Sequence, residues 1–216
     1  MFYHAIPNGV ESLLLKLGGI ELPQETYLAG GTAAALYLGH RESIDIDLFT
    51  PTPFDTLEIV ARLKPLFSYT PLNERPETLL CELDSVKFSL FFYRYPSIEQ
   101  AIRDKRYAIP IASPLDIALM KMIAIYQRGT AKDFIDLQYL MKSNGYTLPS
   151  LENRLIDKYG FDRNLFYHIR RSLVYFDDAE RTKSLVVMLD NGKRRELAEN
   201  DWEQTKHFYR SLVVVS

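Results

Sequence analysis

The chain has 216 residues, of which 47% are hydrophobic, with a formal net charge of −2. That length and composition suit one domain or two small ones with a real core, and the balanced charge does not describe a strongly basic nucleic-acid coat. The single cysteine, Cys81, excludes an internal disulfide, and no basic-then-apolar leader or membrane-length apolar run is evident, so the expectation is a cytoplasmic protein with no membrane segment.

The first informative stretch is Glu25-Thr26-Tyr27-Leu28-Ala29, short and apolar enough to enter a core as a strand or strand-like lead-in. Gly30 and Gly31 follow and permit a tight turn. Thr32 stands where a helix begins, Ala33-Ala34-Ala35-Leu36-Tyr37-Leu38 are good helix formers, and Gly39 ends the run. The turn therefore offers backbone N–H groups and a hydroxyl at a helix N-terminus, a setting that favours anions. Ser43 to Phe49 then alternates, which predicts a strand with Ile44, Ile46 and Leu48 on the core side and Asp45 and Asp47 together on the other. Two carboxylates side by side suit a cation such as Mg²⁺, which takes one or two carboxylates plus substrate phosphates. The plain alternative is a solvated strand face and an ordinary turn.

Beyond Pro51 and Pro53, Phe54 to Leu66 reads as an amphipathic helix with Leu57, Val60, Ala61 and Leu63 inward. Thr78–Leu83 and Val86–Tyr93 flank Asp84-Ser85, a β-hairpin signal. Residues 96–112 read as a linker. Ser113-Pro114-Leu115-Asp116 opens a helix with an N-cap and a first-turn proline. Inside that nearly all-apolar helix stands Lys121, which must find an anion when buried; phosphate or a neighbouring aspartate would serve. Arg128 lies two turns further on, near the same face. After Gly129-Thr130, Asp133 and Asp136 share one face of the next helix, either as a general base or as anchors for Lys121, Arg128 or Arg41. Arg41 is placed to clamp a triphosphate or to brace Asp45 or Asp47. A last helix starts near Trp202. His40 reads as structural or solvated, the other histidines lack zinc-ligand spacing, and Phe91, Phe92 and Tyr93 read as core rather than as a base-stacking platform.

Charge is unevenly shared. Residues 1–100 hold 7 Lys+Arg against 13 Asp+Glu, whereas 101–216 hold 19 against 15. Basic clusters at Arg103–Arg106 and Lys193–Arg195 permit a nucleic-acid partner, but solvated surface is the simpler reading of each.

The block from Tyr27 to Leu36, continued through Gly39-His40-Arg41-Glu42-Ser43-Ile44-Asp45-Ile46-Asp47-Leu48-Phe49, resembles the AbiEii/AbiGii-type nucleotidyltransferase toxins of the polymerase-β-type superfamily. Lys121, Arg128 and Lys132-Asp133-Phe134-Ile135-Asp136-Leu137 add a second echo, and Asp201-Trp202, Lys206 and Phe208 a weaker third. The resemblance implies an α+β fold, with a small mixed-sheet nucleotidyltransferase core over residues 1–110 and an appended C-terminal helical bundle over 111–216 completing the cleft. It implies Mg²⁺-dependent transfer of a nucleoside monophosphate from an NTP to an RNA acceptor, notably tRNA, or to a protein, by a toxin with a cognate antitoxin. Asp45 and Asp47 would hold the metal. Gly30, Gly31 and Thr32 would position the β- and γ-phosphates, Lys121 would act with Asp45 and Asp47 as a catalytic residue by neutralising, with Arg41, the charge that develops in the transition state, and Arg128, Asp133 and Asp136 would complete the nucleotide site. The chain departs from the superfamily in one place: the strand expected to carry a third carboxylate, Val86–Tyr93, presents Lys87 and Ser89 instead, leaving Glu82 as an outside candidate. That departure keeps two alternatives open, a catalytically silent nucleotide- or partner-binding module and a kinase-like phosphotransferase.

Overall fold

A computed structural model describes residues 1–160 and 162–215. The chain divides into two compact units. The division is not linear, because 6–33 and 43–113 form one unit whereas 1–5 and 34–42 cluster with 114–216.

The first unit is built on a five-stranded sheet. Its helix α1 is Asn8–Leu17, which buries Val10, Leu13, Leu14 and Leu17 at helical spacing. Strand β1 is only Tyr27–Leu28, and helix α2, Gly30–Leu38, starts in this unit and ends in the other. Strand β2 is Ile46–Thr50, helix α3 is Thr56–Leu63, and strands β3, β4 and β5 are Tyr69–Arg75, Thr78–Leu83 and Val86–Phe92. The sheet order is β1-β2-β5-β4-β3. Only β2 and β5 run parallel, and their register sets Asp47 beside Ser89 and Phe49 beside Phe91. One face of the sheet is closed by Ile46, Leu48, Leu79, Cys81, Leu83, Phe88 and Leu90, all nearly inaccessible. The alternation then places Asp47, Phe49, Ser89 and Phe91 on the other, half-open face.

Several expectations meet the structure here. The Asp84-Ser85 turn is real, with φ of +50° and +68°, the pair of positive values a type I′ hairpin needs. The aspartate strand starts later than its alternation suggested: Ile44 precedes β2 and is 52% exposed. In α3 the Asp55 side chain caps the Leu57 N–H, so the helix begins at Thr56 and turns Thr56, Ile59, Val60 and Leu63 inward. Leu57 and Ala61, assigned to the core side, are exposed. Residues 96–112 are more than a linker. The Leu28 N–H donates to the Pro110 carbonyl and the Ala112 N–H to that of Leu28, so the segment extends the sheet past β1 and buries Tyr107, Ile109 and Ile111.

The second unit is helical with a small hairpin. Helix α4 is Pro114–Gln127 and α5 is Ala131–Asn144. They are followed by α6 (Leu148–Tyr159), α7 (Arg163–Ser172) and the single turn α8 (Asp177–Glu180). Strands β6 (Val187–Asp190) and β7 (Lys193–Glu196) pair across Asn191-Gly192, and α9 covers Glu199–Val215. The backbone of residues 40–42 joins β6, since Leu189 donates to the His40 carbonyl and Glu42 to that of Val187. The aromatic core is closed: Phe134, Trp202 and Tyr209 are fully buried with Phe176 against them. Among the described residues no helix is long and apolar enough to cross a membrane.

Candidate active site

The sheet unit brings Gly30, Gly31, Thr32, Asp45 and Asp47 together. The turn is tied to the aspartate strand at both acidic positions. The Ala29 N–H donates to the Asp47 carbonyl at 3.0 Å, and the buried Thr32 hydroxyl donates to the Asp45 carbonyl with Ser43 Oγ 2.9 Å away. Gly30 has φ +65°, and a Cβ there would lie 2.6 Å from Asp47 Oδ2. Both its backbone and its missing side chain are therefore required by the carboxylate packed against it. The first bond of α2 is Ala33 N–H to the Ala29 carbonyl, so the N–H groups of Gly30, Gly31 and Thr32 precede the ladder at the electropositive helix end. A hydroxyl has one proton, and Thr32 commits it to Asp45; what this turn offers an anion is backbone N–H.

Asp45 and Asp47 are each half-buried, Asp47 on β2 and Asp45 in the residue just before it. Among the described residues no group of three or more His, Cys, Asp or Glu side chains is arranged to hold a metal. Ser89 stands beside Asp47 where a third acid would complete such a group. Glu82 pairs with Lys87 on β4, two strand spacings from β2. Two carboxylates beside an electropositive helix end nevertheless offer the oxygen ligands that Mg²⁺ takes, alongside water and phosphate.

The helical unit collects the other expected residues into a buried charge cluster. Asp136 Oδ1 accepts from Arg41 Nε at 2.7 Å and His40 Nε2 at 2.8 Å. Its Oδ2 accepts from Arg41 Nη2 at 2.8 Å and Lys121 Nζ at 2.7 Å. Asp133 Oδ1 accepts from Lys121 Nζ at 2.9 Å and Arg128 Nη2 at 3.1 Å, and its Oδ2 from Arg128 Nε at 3.0 Å and the Thr130 hydroxyl at 2.7 Å. Both aspartates are wholly inaccessible, and each oxygen already accepts two hydrogen bonds, so in this arrangement they anchor cations. Burial alone would raise both carboxyl pKa values. Arg41 and Lys121 override it at Asp136, Lys121 and Arg128 at Asp133, and both acids are held far below the usual carboxylate range. Lys121 is likewise raised, its two aspartates outweighing its burial. Arg128 differs from its neighbours in that its side chain is 64% exposed.

Sequence reasoning left His40, Ser43 and Thr130 out of these clusters. His40 is 3% exposed, and burial lowers its pKa despite Asp136, so the neutral ring donates through Nε2 and Nδ1 has no hydrogen-bond partner among the described residues. The signal for Thr130 was available in its spacing, since a hydroxyl three residues before Asp133 at a helix start is placed to reach it.

Proteins of known structure share this fold. MenT4, a nucleotidyltransferase toxin from Mycobacterium tuberculosis H37Rv, shares the fold at a TM-score of 0.53 and 14% identity, over 95% of this chain and 82% of that one. JHP933 from Helicobacter pylori does so at 0.53 and 17%, over 95% and 88%. In sequence, the family described as nucleotidyl transferase AbiEii toxin, Type IV TA system, matches residues 13–105 and 86–212. The chain belongs to that AbiEii nucleotidyltransferase toxin family. Protein aq_aa25 of Aquifex aeolicus (strain VF5), uncharacterized, is 39% identical over 203 residues, 93% of this chain and 92% of that protein.

Proposed function

We propose that this protein transfers a nucleoside monophosphate from an NTP to an acceptor hydroxyl, releasing pyrophosphate, as the toxin of a toxin–antitoxin pair. The observation that carries this reading is the Gly30 turn laced to Asp45 and Asp47. The backbone N–H groups of Gly30, Gly31 and Thr32 receive the β- and γ-phosphates at the helix N-terminus. Asp45 and Asp47 hold Mg²⁺, which when bound supplies charge neutralisation at the transferring phosphate. Thr32 acts through the strand, fixing the backbone of Asp45 so that its carboxylate is presented beside that of Asp47. In the helical unit, Asp133 and Asp136 hold Arg41 and Lys121 in place, and Arg128 is the exposed cation of that cluster. The acceptor is an RNA, tRNA included, or a protein.

A second reading follows from Ser89. With a hydroxyl beside Asp47 instead of a third carboxylate, the same site binds a nucleotide without transferring it. One experiment separates the two. The purified protein is incubated with Mg²⁺, total cellular RNA and each α-labelled NTP, beside Asp45→Asn/Asp47→Asn. Label in RNA or protein that the double variant loses supports the transferase. A thermal shift with NTP and Mg²⁺ but no α-label transfer supports the silent module, and transfer from γ-labelled NTP alone supports a kinase.

A further inference from the structure

The face of the sheet that carries Asp47 also carries a row of aromatic rings. Phe49 follows Asp47 by two residues on β2, and Phe91 follows Ser89 by two on β5, directly beside Phe49. Tyr93 continues the alternation, its N–H donating to the Thr50 carbonyl at 2.7 Å, and Tyr95 comes next. The rings touch in sequence: Phe49 to Phe91 at 5.4 Å, Phe49 to Tyr93 at 5.4 Å and Tyr93 to Tyr95 at 5.2 Å between centroids. Behind them Tyr27, nearly buried, stacks on Phe49 at 6.1 Å. Two of these, Phe91 and Tyr93, read from the sequence as core together with Phe92, yet the row is not closed like a core. Phe49, Phe91, Tyr93 and Tyr95 all remain half-exposed, whereas Phe134, Trp202 and Tyr209 in the helical unit have no accessible surface.

We propose that this row is a stacking platform for consecutive bases of a single-stranded RNA acceptor, leading to the Asp45/Asp47 site. The inference rests on the transferase reading and names its acceptor. Length favours a strand over a lone nucleotide. Phe91 to Tyr95 is four residue steps, about 13 Å of extended chain, room for several bases at about 3.4 Å each; an NTP would cover one ring. Every base has a π-face, so an aromatic row takes them with little regard to sequence. Two exposed cations flank the row, Arg94 with charge suited to a phosphate and Lys87 across from Glu82. Arg94 lies over the Tyr95 ring at 5.4 Å, and Lys87 stands two residues before Ser89 on the same face.

The test is equilibrium binding, by fluorescence anisotropy, of a labelled single-stranded RNA of about 12 nucleotides to the full chain without NTP. Tyr93→Leu and Tyr95→Leu keep apolar bulk and remove the π-face, while Tyr93→Phe and Tyr95→Phe keep the ring. Each Leu variant is expected to weaken RNA binding about tenfold and the pair about a hundredfold, with the Phe variants near wild type and melting temperatures little moved. Wild-type affinity in the folded Leu pair overturns the proposal. So do equal losses in the Phe variants, or a loss of NTP affinity with RNA affinity unchanged, which would give the row to the incoming nucleotide. Label appearing on protein, with no RNA bound by the wild type, also overturns it. Because binding needs no transfer, ring-dependent RNA binding without α-label transfer sinks the transferase reading and leaves the platform standing.

Discussion

The molecule holds two pairs of aspartates that look alike in sequence and differ in what surrounds them. Asp45 and Asp47 are half-exposed, and the backbone at both positions is tied down, by Ala29 and Thr32. Asp133 and Asp136 are inaccessible, with every oxygen taken by Arg41, Lys121, Arg128, His40 or Thr130. A carboxylate whose backbone is fixed while its side chain meets solvent is poised for a ligand. One whose side chain is saturated is part of the frame. The difference lies in how deeply the fold buries each pair, not in the aspartates themselves.

The sharpest way to break this comparison is to remove the framing acid. Asp136→Ala leaves Arg41 and Lys121 facing each other in the interior, and loss of one partner from a buried ionic cluster costs about 3–5 kcal/mol. Chemical denaturation should show that drop; a loss below about 1 kcal/mol would mean that the cluster is not structural. Asp45→Asn/Asp47→Asn should do the reverse. It should leave the denaturation midpoint near wild type and reduce nucleotide transfer by at least about 10²–10³-fold, the scale of a lost electrostatic contact at a reacting centre. If both double and single substitutions unfold the chain equally, the two pairs are not different in kind.

Gly30→Ala probes the joint between turn and strand. A left-handed backbone costs a residue with a Cβ about 1–2 kcal/mol, and here the added carbon also strikes Asp47 Oδ2 at 2.6 Å. Transfer should therefore fall by more than the modest stability loss explains, read as kcat against the urea midpoint.

Acid separates the layers of the frame. Asp133 and Asp136 have depressed folded-state pKa values, so their stabilisation is present above the ordinary carboxylate pKa of about 4 and fades as pH falls below it. His40 is also depressed, from 6.5, by burial. The unfolded chain therefore takes up its proton first, and stability begins to fall once pH drops below 6.5. Unfolding free energies followed from pH 8 downward should show two successive declines, and His40→Gln, which still donates to Asp136, should remove the upper one alone. An unchanged upper decline in that variant would assign it to another group.

Much of this was legible in the sequence because local chemistry agreed with the tertiary outcome. Gly30 before Thr32 and the alanine run specified a helix start, Asp84-Ser85 the hairpin, and Gly129-Thr130 the break before α5. The misses have physical reasons. Strand β3 escaped because it is a polar edge strand with Pro71 and a bulge, so it lacks an alternating apolar face. Ile44 was drawn into the strand by periodicity, although the ladder to β5 begins only at Ile46. The β6–β7 hairpin announced itself in Asn191-Gly192, a type I′ signal with φ of +47° and +79°, and was overlooked beside the basic residues that follow. The anchoring of Lys121, Arg128 and Arg41 by Asp133 and Asp136 is one of the two readings the sequence offers, but the share of His40 in it is not legible, because His40 lies nearly a hundred residues away in the chain.

Arg128 gives the finest cut. It is bonded to Asp133 like a framing residue, yet its side chain is 64% exposed, so it belongs to both classes. Solvent screening limits the stability cost of Arg128→Ala to about 1 kcal/mol or less, since Lys121 and Thr130 still hold Asp133. If Arg128 is the cation that meets phosphate, NTP affinity should fall roughly tenfold, the worth of one hydrogen bond to a charged group. Titration calorimetry on the same variant reads both possibilities. Unchanged affinity would confine the whole cluster to the frame and leave phosphate recognition to the backbone of Gly30 and Gly31.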